Sequence, residues 1–338
     1  MSASVVTEDI AATIATERAR FPLKAIRQQY GETLLRLAAD YPQLLVLTAD
    51  LMHATGMEAF GRQHPGRLIN VGIAEQNMTG IAAGLSLAGR PVIVDGYAAF
   101  TTLRAVEQAK VDAAYNSAKI ILTGQSAGLS YGVGGPTHQT YEDVAIMRAI
   151  PNMIVLVPAD AAELEPCLRA AMEHPAATPI YIRLGRGPEY LVSDPQARFE
   201  IGGSVKLRDG NDVAIIANGP MVFEAMLAAD QLARRGIGAQ VINMHSVKPI
   251  DRAALERAAR EVAAFVVVEE HNVLGGLGGA VTEALSEIRH GPIRLLGIRD
   301  AYPPIGPVFE LRDALGLTAV HIVVQVESLL ATALARTG

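Results

Sequence analysis

Residues 91–124, "PVIVDGYAAFTTLRAVEQAKVDAAYNSAKIILTG", decide the fold class. The ends, "PVIVDG" (91–96) and "KIILTG" (119–124), are short β-branched runs bounded by Gly, Pro or Asp and read as buried strands. Residues 101–117 between them read as a helix, and a strand–helix–strand unit makes a crossover and a parallel pair. The same alternation extends outward through strands at 44–50, 153–159 and 179–185 and helices at 75–88, 141–149 and 160–173. Strands apolar along nearly their whole length belong to a sheet covered on both faces. Residues 185–203 lose the period and collect Gly and Pro near their ends, which marks a candidate linker. Strand patterns then restart at 212–219, 239–244, 264–270 and 293–298. The expectation is an α/β chain of two doubly wound domains, 22–190 and 204–338.

Composition narrows the function. A chain of 338 residues, 50% of them hydrophobic, is long enough for two ordinary cores. A net charge of −6 with scattered Lys and Arg argues against a nucleic-acid partner. No apolar run is read as approaching the roughly 18 to 20 residues of a membrane span. Glu8, Asp9 and Glu17 lie where a signal peptide would carry its apolar core, so a cytoplasmic protein is expected. Cys167, the single cysteine, has no internal disulfide partner and reads as a small buried apolar group.

In parallel sheets, sites lie beyond the carboxyl ends of the strands. Asp50 and His53 follow the first run, and Tyr97 and Phe100 the second, at a spacing that shares one helix side. The glycine-rich loop "GQSAGLSYGVGGPTHQTYED" (124–143) holds His138, and Arg186 follows the fifth run. Glu75 opens a helix within "NVGIAEQNMTGIAAGLSLAG" (70–89), whose Gly80, Ala82, Ala83, Gly84, Ser86, Ala88 and Gly89 admit close backbone approach. That region is expected not to be a solvated surface. Alone, such an acid would simply favour the helix N-terminus.

Four segments, "NVGIAEQNM" (70–78), "PTHQTYEDVAIMRAIPNMIVLVPAD" (136–160), "YIRLGR" (181–186) and "EEHNVLGGLGG" (269–279), resemble in order and spacing the pyrimidine-binding and C-terminal domains of transketolase. The likeness runs from about residue 22 to the end; "GGLGG" alone reads as tight helix-to-strand packing. It implies thiamine diphosphate as cofactor, with its reactive C2 deprotonated by its own 4'-amino group. Glu75 matches the acid that drives this by hydrogen bonding to ring N1', and an apolar wall around it would help it share a proton with the ring. Ile73 matches the aliphatic residue that keeps the cofactor bent, and Asp50 is placed with the cofactor-binding set. Tyr97 and Phe100 match aromatics of the pyrimidine pocket, whose third ring falls near Leu103 or Arg104 and is missing here.

On the substrate side the resemblance gives Arg27 and Arg186 a sugar phosphate, and His138 the donor carbonyl and first hydroxyl. Ser126 stands where a histidine is usual, Ala54 beside Thr55 where a serine is usual. Gly134 replaces an aspartate that reads the C2 hydroxyl, and is expected to leave room for a substituent there. These departures point to an unusual donor, such as apulose 4-phosphate or a sulfo-sugar.

The family's metal and diphosphate motif, "GDG" followed by asparagine, is absent. The resemblance therefore implies a partner alpha chain that carries it and binds most of the Mg2+, in an α2β2 assembly, with no metal site in this chain. The implied activity is ketol transfer from a ketose phosphate to an aldose phosphate. Two other readings stay open at this point: a beta subunit of a 2-oxo acid dehydrogenase, and a non-catalytic regulatory dimer.

Overall fold

The computed structural model describes residues 3–335; residues 336–338 of the expected second domain lie outside them. Val92–Tyr97 and Ile120–Gln125 pair in parallel, from Val92 opposite Ile120 to Tyr97 opposite Gln125. The connection between them is not one α-helix. Two π-helical segments, Ala99–Arg104 and Ala109–Tyr115, flank the short α-helical Val106–Gln108. Such wide turns gather at functional sites, and this one begins directly after Tyr97.

The strands form a seven-stranded sheet in the order Ser246–Lys248, Ile154–Leu156, Ile180–Arg183, Ile120–Gln125, Val92–Tyr97, Leu45–Thr48, Leu68–Asn70. All its pairings are parallel except the first, where a strand from the second half of the chain closes the edge. The second sheet runs Ile293–Ile298, Ala264–Asn272, Val213–Ala217, Ala239–Asn243, Val205–Arg208, the last antiparallel. Both are α/β layers with helices on either face, as the apolar strands require. A continuous buried cluster runs from Val94 and Leu122 through Val155 to Ile216, Ile242 and Phe265, so the two halves share apolar core. Each such side chain contributes about 1.5–3 kcal/mol when fully buried.

The segment 185–203 is packed and partly stranded. Pro188–Tyr190 pairs with Leu23–Ala25, Phe199 is buried, and the Val192 and Ser193 N–H groups donate to Asp160 at 2.7 and 2.8 Å. The opening helix Ala3–Arg18 docks on the second half, where Arg18 donates to Glu224 at 2.6 and 2.8 Å.

The apolar-run expectation fails on composition: residues 308–332 have the length and hydropathy of a span. They form two helices, Val308–Ala314 and Ala319–Ala335, separated near Gly316 with φ +74°. Ile322, Val323, Val326 and Leu329 of the second pack into the core with Val222 and Leu232, as in a core helix.

Beside the shared apolar core, the joint between the halves holds a buried ionic cluster. Arg312 donates to Glu189 at 2.9 and 2.7 Å and to Glu270, while Arg183 donates to Asp143 at 2.9 Å and to the Glu270 carbonyl at 2.8 Å. The Tyr181 hydroxyl adds a 2.7 Å bond to Asp143. All of these groups are buried.

Candidate functional site

Several of the side chains singled out in the sequence, Glu75, Tyr97, Phe100, His138 and Arg186, gather at the carboxyl edge of the larger sheet. Glu75 begins the helix Glu75–Leu87 after Gly72, whose φ of +72° turns the chain into it. Glu75 is 3% exposed, yet its surroundings are not the expected apolar wall. Arg104 Nη1 donates to both carboxylate oxygens, at 3.0 and 3.1 Å, and the same guanidinium lies 4.2 Å from the Phe100 ring centroid. The helix is also less covered than its small residues suggest. Gln76, Asn77, Gly84, Leu87 and Ala88 are exposed, and a Cβ on Gly84 would meet nothing.

From Phe100 an aromatic run crosses the site. Phe100 and Tyr97 lie 5.8 Å apart between centroids, Phe100 and His138 5.5 Å, and His138 and Tyr131 5.3 Å. Arg186 sits 4.0 Å over the Tyr131 ring, and the Arg27 N–H donates to the Arg186 carbonyl at 3.3 Å. One file of side chains thus joins Glu75 and Arg104 at one end to Arg186 at the other, with the exposed Arg27 adjoining Arg186 through its backbone. Sequence reasoning misses Tyr131 and Arg104. Tyr131 lies in a loop without period, and Arg104 stands out only as the place of an absent ring.

The second half of the chain holds the loop that carries His138. Glu270 accepts from the Leu129 N–H at 2.9 Å, and Gln139 Nε2 donates to the Gly132 and Pro304 carbonyls at 3.1 and 3.0 Å. His138 Nδ1 lies 2.9 Å from Thr137 Oγ1. A Cβ on Gly134 would lie 2.9 Å from His138 Cβ and 3.2 Å from Tyr131 Cδ1. The room expected there is taken by these two neighbours, and glycine is needed for their approach.

Asp50 adopts φ +62° and its N–H donates to Asn70 Oδ1 at 3.0 Å. Asn70 also donates to Asp50 Oδ1 at 3.1 Å and accepts from the Gly72 N–H at 3.0 Å. Asn70, which the sequence does not single out, ties Asp50 to the turn carrying Ile73, which is 75% exposed. His53 is solvent-facing, 3.4 Å from Glu58, outside the aromatic file. Thr55 is buried with its hydroxyl on the Leu51 carbonyl at 2.9 Å. Ser126 is buried at φ +57° and its hydroxyl makes no hydrogen bond.

Behind the edge lies Asp95, buried and bonded by Thr123 Oγ1 at 2.9 Å and Gln125 Nε2 at 2.7 Å. Burial raises its pKa to about 6 despite those donors. Cys167 is buried far from this chemistry in the helix Ala161–Glu173, its thiol pushed well up by burial. Among the described residues, no group of three or more His, Cys, Asp or Glu side chains is placed to hold a metal ion.

The family of transketolase pyrimidine binding domains matches residues 24–188, and the family of transketolase C-terminal domains matches residues 202–322. A 6-deoxy-6-sulfo-D-fructose transketolase subunit of Clostridium sp. is 40% identical over 298 residues, 88% of this chain and 92% of that protein. An apulose-4-phosphate transketolase subunit of Phocaeicola vulgatus is 37% identical over 278 residues, 82% of this chain and 88% of that protein. A solved split gene transketolase, an inactive beta4 tetramer, superposes with a TM-score of 0.83 at 40% identity, covering 91% of this chain and 98% of that one.

Proposed function

The chain belongs to the transketolase family, and we propose that it is the subunit supplying the pyrimidine half of a thiamine diphosphate site. With a partner chain it transfers a two-carbon ketol unit from a ketose donor to an aldose acceptor. The observation that carries this is Glu75: a buried carboxylate at a helix start, two residues after the exposed Ile73 and linked through Arg104 to the Phe100 ring. An acid, an aromatic face and an aliphatic prop fit an aminopyrimidine. The sequence lacks the family's "GDG" and asparagine motif for a metal-bound diphosphate, so we assign that half to a partner alpha chain with its Mg2+, in an α2β2 assembly. The open face of Glu75–Leu87, with Leu87 and nearby Tyr115 exposed, is surface on which another chain would pack.

Bound there, thiamine diphosphate would supply the nucleophilic carbon that takes up the two-carbon unit. Glu75 would hold and move the proton at ring N1', Ile73 would support the cofactor from the turn before Glu75, Tyr97 and Phe100 would bound the ring, and Asp50, through Asn70, steadies that turn. His138, fixed by the aromatic file, orients the donor carbonyl. Arg27 and Arg186 hold the substrate's terminal anion. The two relatives named above carry a sulfonate and a phosphate sugar in their names, so an anionic terminus is the shared feature, and an unusual ketose is the donor we favour. The chemistry belongs to the cytoplasm, where phosphorylated sugars reside.

The chain purified alone is expected to bind thiamine diphosphate weakly and to transfer nothing. Co-expression with a chain bearing the diphosphate motif should restore both, read as ketol transfer from anionic ketoses to ribose 5-phosphate. Full activity of the isolated chain would contradict the half-site.

A further inference from the structure

One side chain takes up both of the contacts that the proposed site offers a flat cationic ring. Arg104 Nη1 donates to Glu75 Oε1 and Oε2 at 3.0 and 3.1 Å, and its guanidinium stacks 4.2 Å over Phe100. Among the described residues, no other donor reaches the Glu75 carboxylate. The two partners differ in exposure: the Glu75 side chain is 4% exposed and that of Arg104 50%. The acid is screened from water by a group that is itself half in water.

We propose that Arg104 is an internal competitor of the cofactor's aminopyrimidine, pairing with Glu75 and covering Phe100 in the free chain and leaving both when the ring binds. This rests on the cofactor reading above and adds a regulatory contact to it. The chemistry matches: a guanidinium is planar, donates along its edge and stacks on its face, as does an aminopyrimidine protonated at a ring nitrogen. The cation–π contact is exposed and the ion pair keeps its arginine half in water, so neither holds Arg104 as a fully buried pair would. Together they weaken ring binding without preventing it, so that an assembled site with a diphosphate grip displaces the arginine and a lone subunit does not. The π-helical turn Ala99–Arg104 supplies the geometry, since it carries Phe100 and Arg104 on one segment.

The test titrates thiamine, which lacks the diphosphate, into the full chain by calorimetry, for wild type, Arg104→Met, and Arg104→Met combined with Glu75→Gln. The same series is repeated with thiamine diphosphate on the assembled subunits. Arg104→Met is expected to bind about tenfold tighter, or about 1.4 kcal/mol, and the second substitution should cancel the gain. In wild type, the Arg104 guanidinium NMR signals should move from their paired to their free positions on saturation. Equal or weaker binding by Arg104→Met, or guanidinium signals unmoved at saturation, would overturn the proposal and make Arg104 a fixed support of Glu75. If thiamine diphosphate binds neither form in the assembled state, the cofactor reading itself fails, and the competitor with it.

Discussion

At the joint between the halves, Arg312 is 2% exposed and directs three nitrogens at two carboxylates, Glu189 and Glu270. At the sheet edge, Arg104 is half exposed and directs one nitrogen at Glu75. Both are arginine–carboxylate clusters, but they can do different things. Charges removed from water must be fully paired, and once paired they resist change. A pair with one partner half in water can trade that partner for another donor, provided the buried acid stays paired. The joint is thus a fixed support for the loop bearing His138, through the Glu270 bond to Leu129. The edge pair is the one we propose a ligand replaces.

The comparison breaks most visibly at Arg312. Arg312→Met leaves Glu189 and Glu270 buried without their counter-ion, and should cost about 3–5 kcal/mol in urea unfolding. A loss below about 2 kcal/mol would show the joint to be as exchangeable as the edge.

Another buried carboxylate at the joint extends the contrast through pH. Glu163 accepts from Asn243 at 3.0 Å and from the Ala159 N–H at 2.6 Å, and burial raises its pKa to about 7 from an ordinary 4.5. A raised folded pKa means that the native state binds the extra proton. Its stabilisation is complete below about pH 4.5 and is lost as pH rises through about 7. Wild type should lose roughly 2–3 kcal/mol from this group across that window, and Glu163→Gln should flatten that part of the slope. Asp95, raised to about 6, adds a smaller fall of the same sign that persists in the variant. An unchanged slope would mean that Glu163 is ionised throughout. The smallest effect belongs to the edge: Arg104→Met leaves the buried Glu75 carboxylate without its donor and should cost about 1–2 kcal/mol, less than at the joint because Arg104 itself is half in water.

What the sequence reveals follows from element length. Runs such as 91–96 and 264–270 are long, β-branched and bounded by turn residues, and the strands form within one or two residues of them. Leu23–Ala25, Leu68–Asn70, Pro188–Tyr190 and Ser246–Lys248 are three residues each, too short to show a period, and escape a sequence reading. The crossover 101–117 reads as an ordinary helix because a wide turn differs from an α turn by one bonding position, which no residue type signals. Tyr97, Phe100 and His138 are legible by their place after strands, and they do converge. The Arg104 contact is not, because pairing with Glu75 depends on a three-dimensional approach across 29 residues. Gly134 shows the converse error: a missing side chain read as space, where its own neighbour four residues on fills the space.

We propose Glu75 as the acid of a half-site completed by another chain. Proton exchange at cofactor C2, followed by NMR in the assembled enzyme with Glu75→Gln, tests it most directly. The account predicts exchange slowed by at least about a hundredfold, the usual range for a general acid–base group, with cofactor still bound and unfolding unchanged. Exchange at the wild-type rate would contradict it and leave Glu75 as a helix-start acid paired to Arg104 and nothing more.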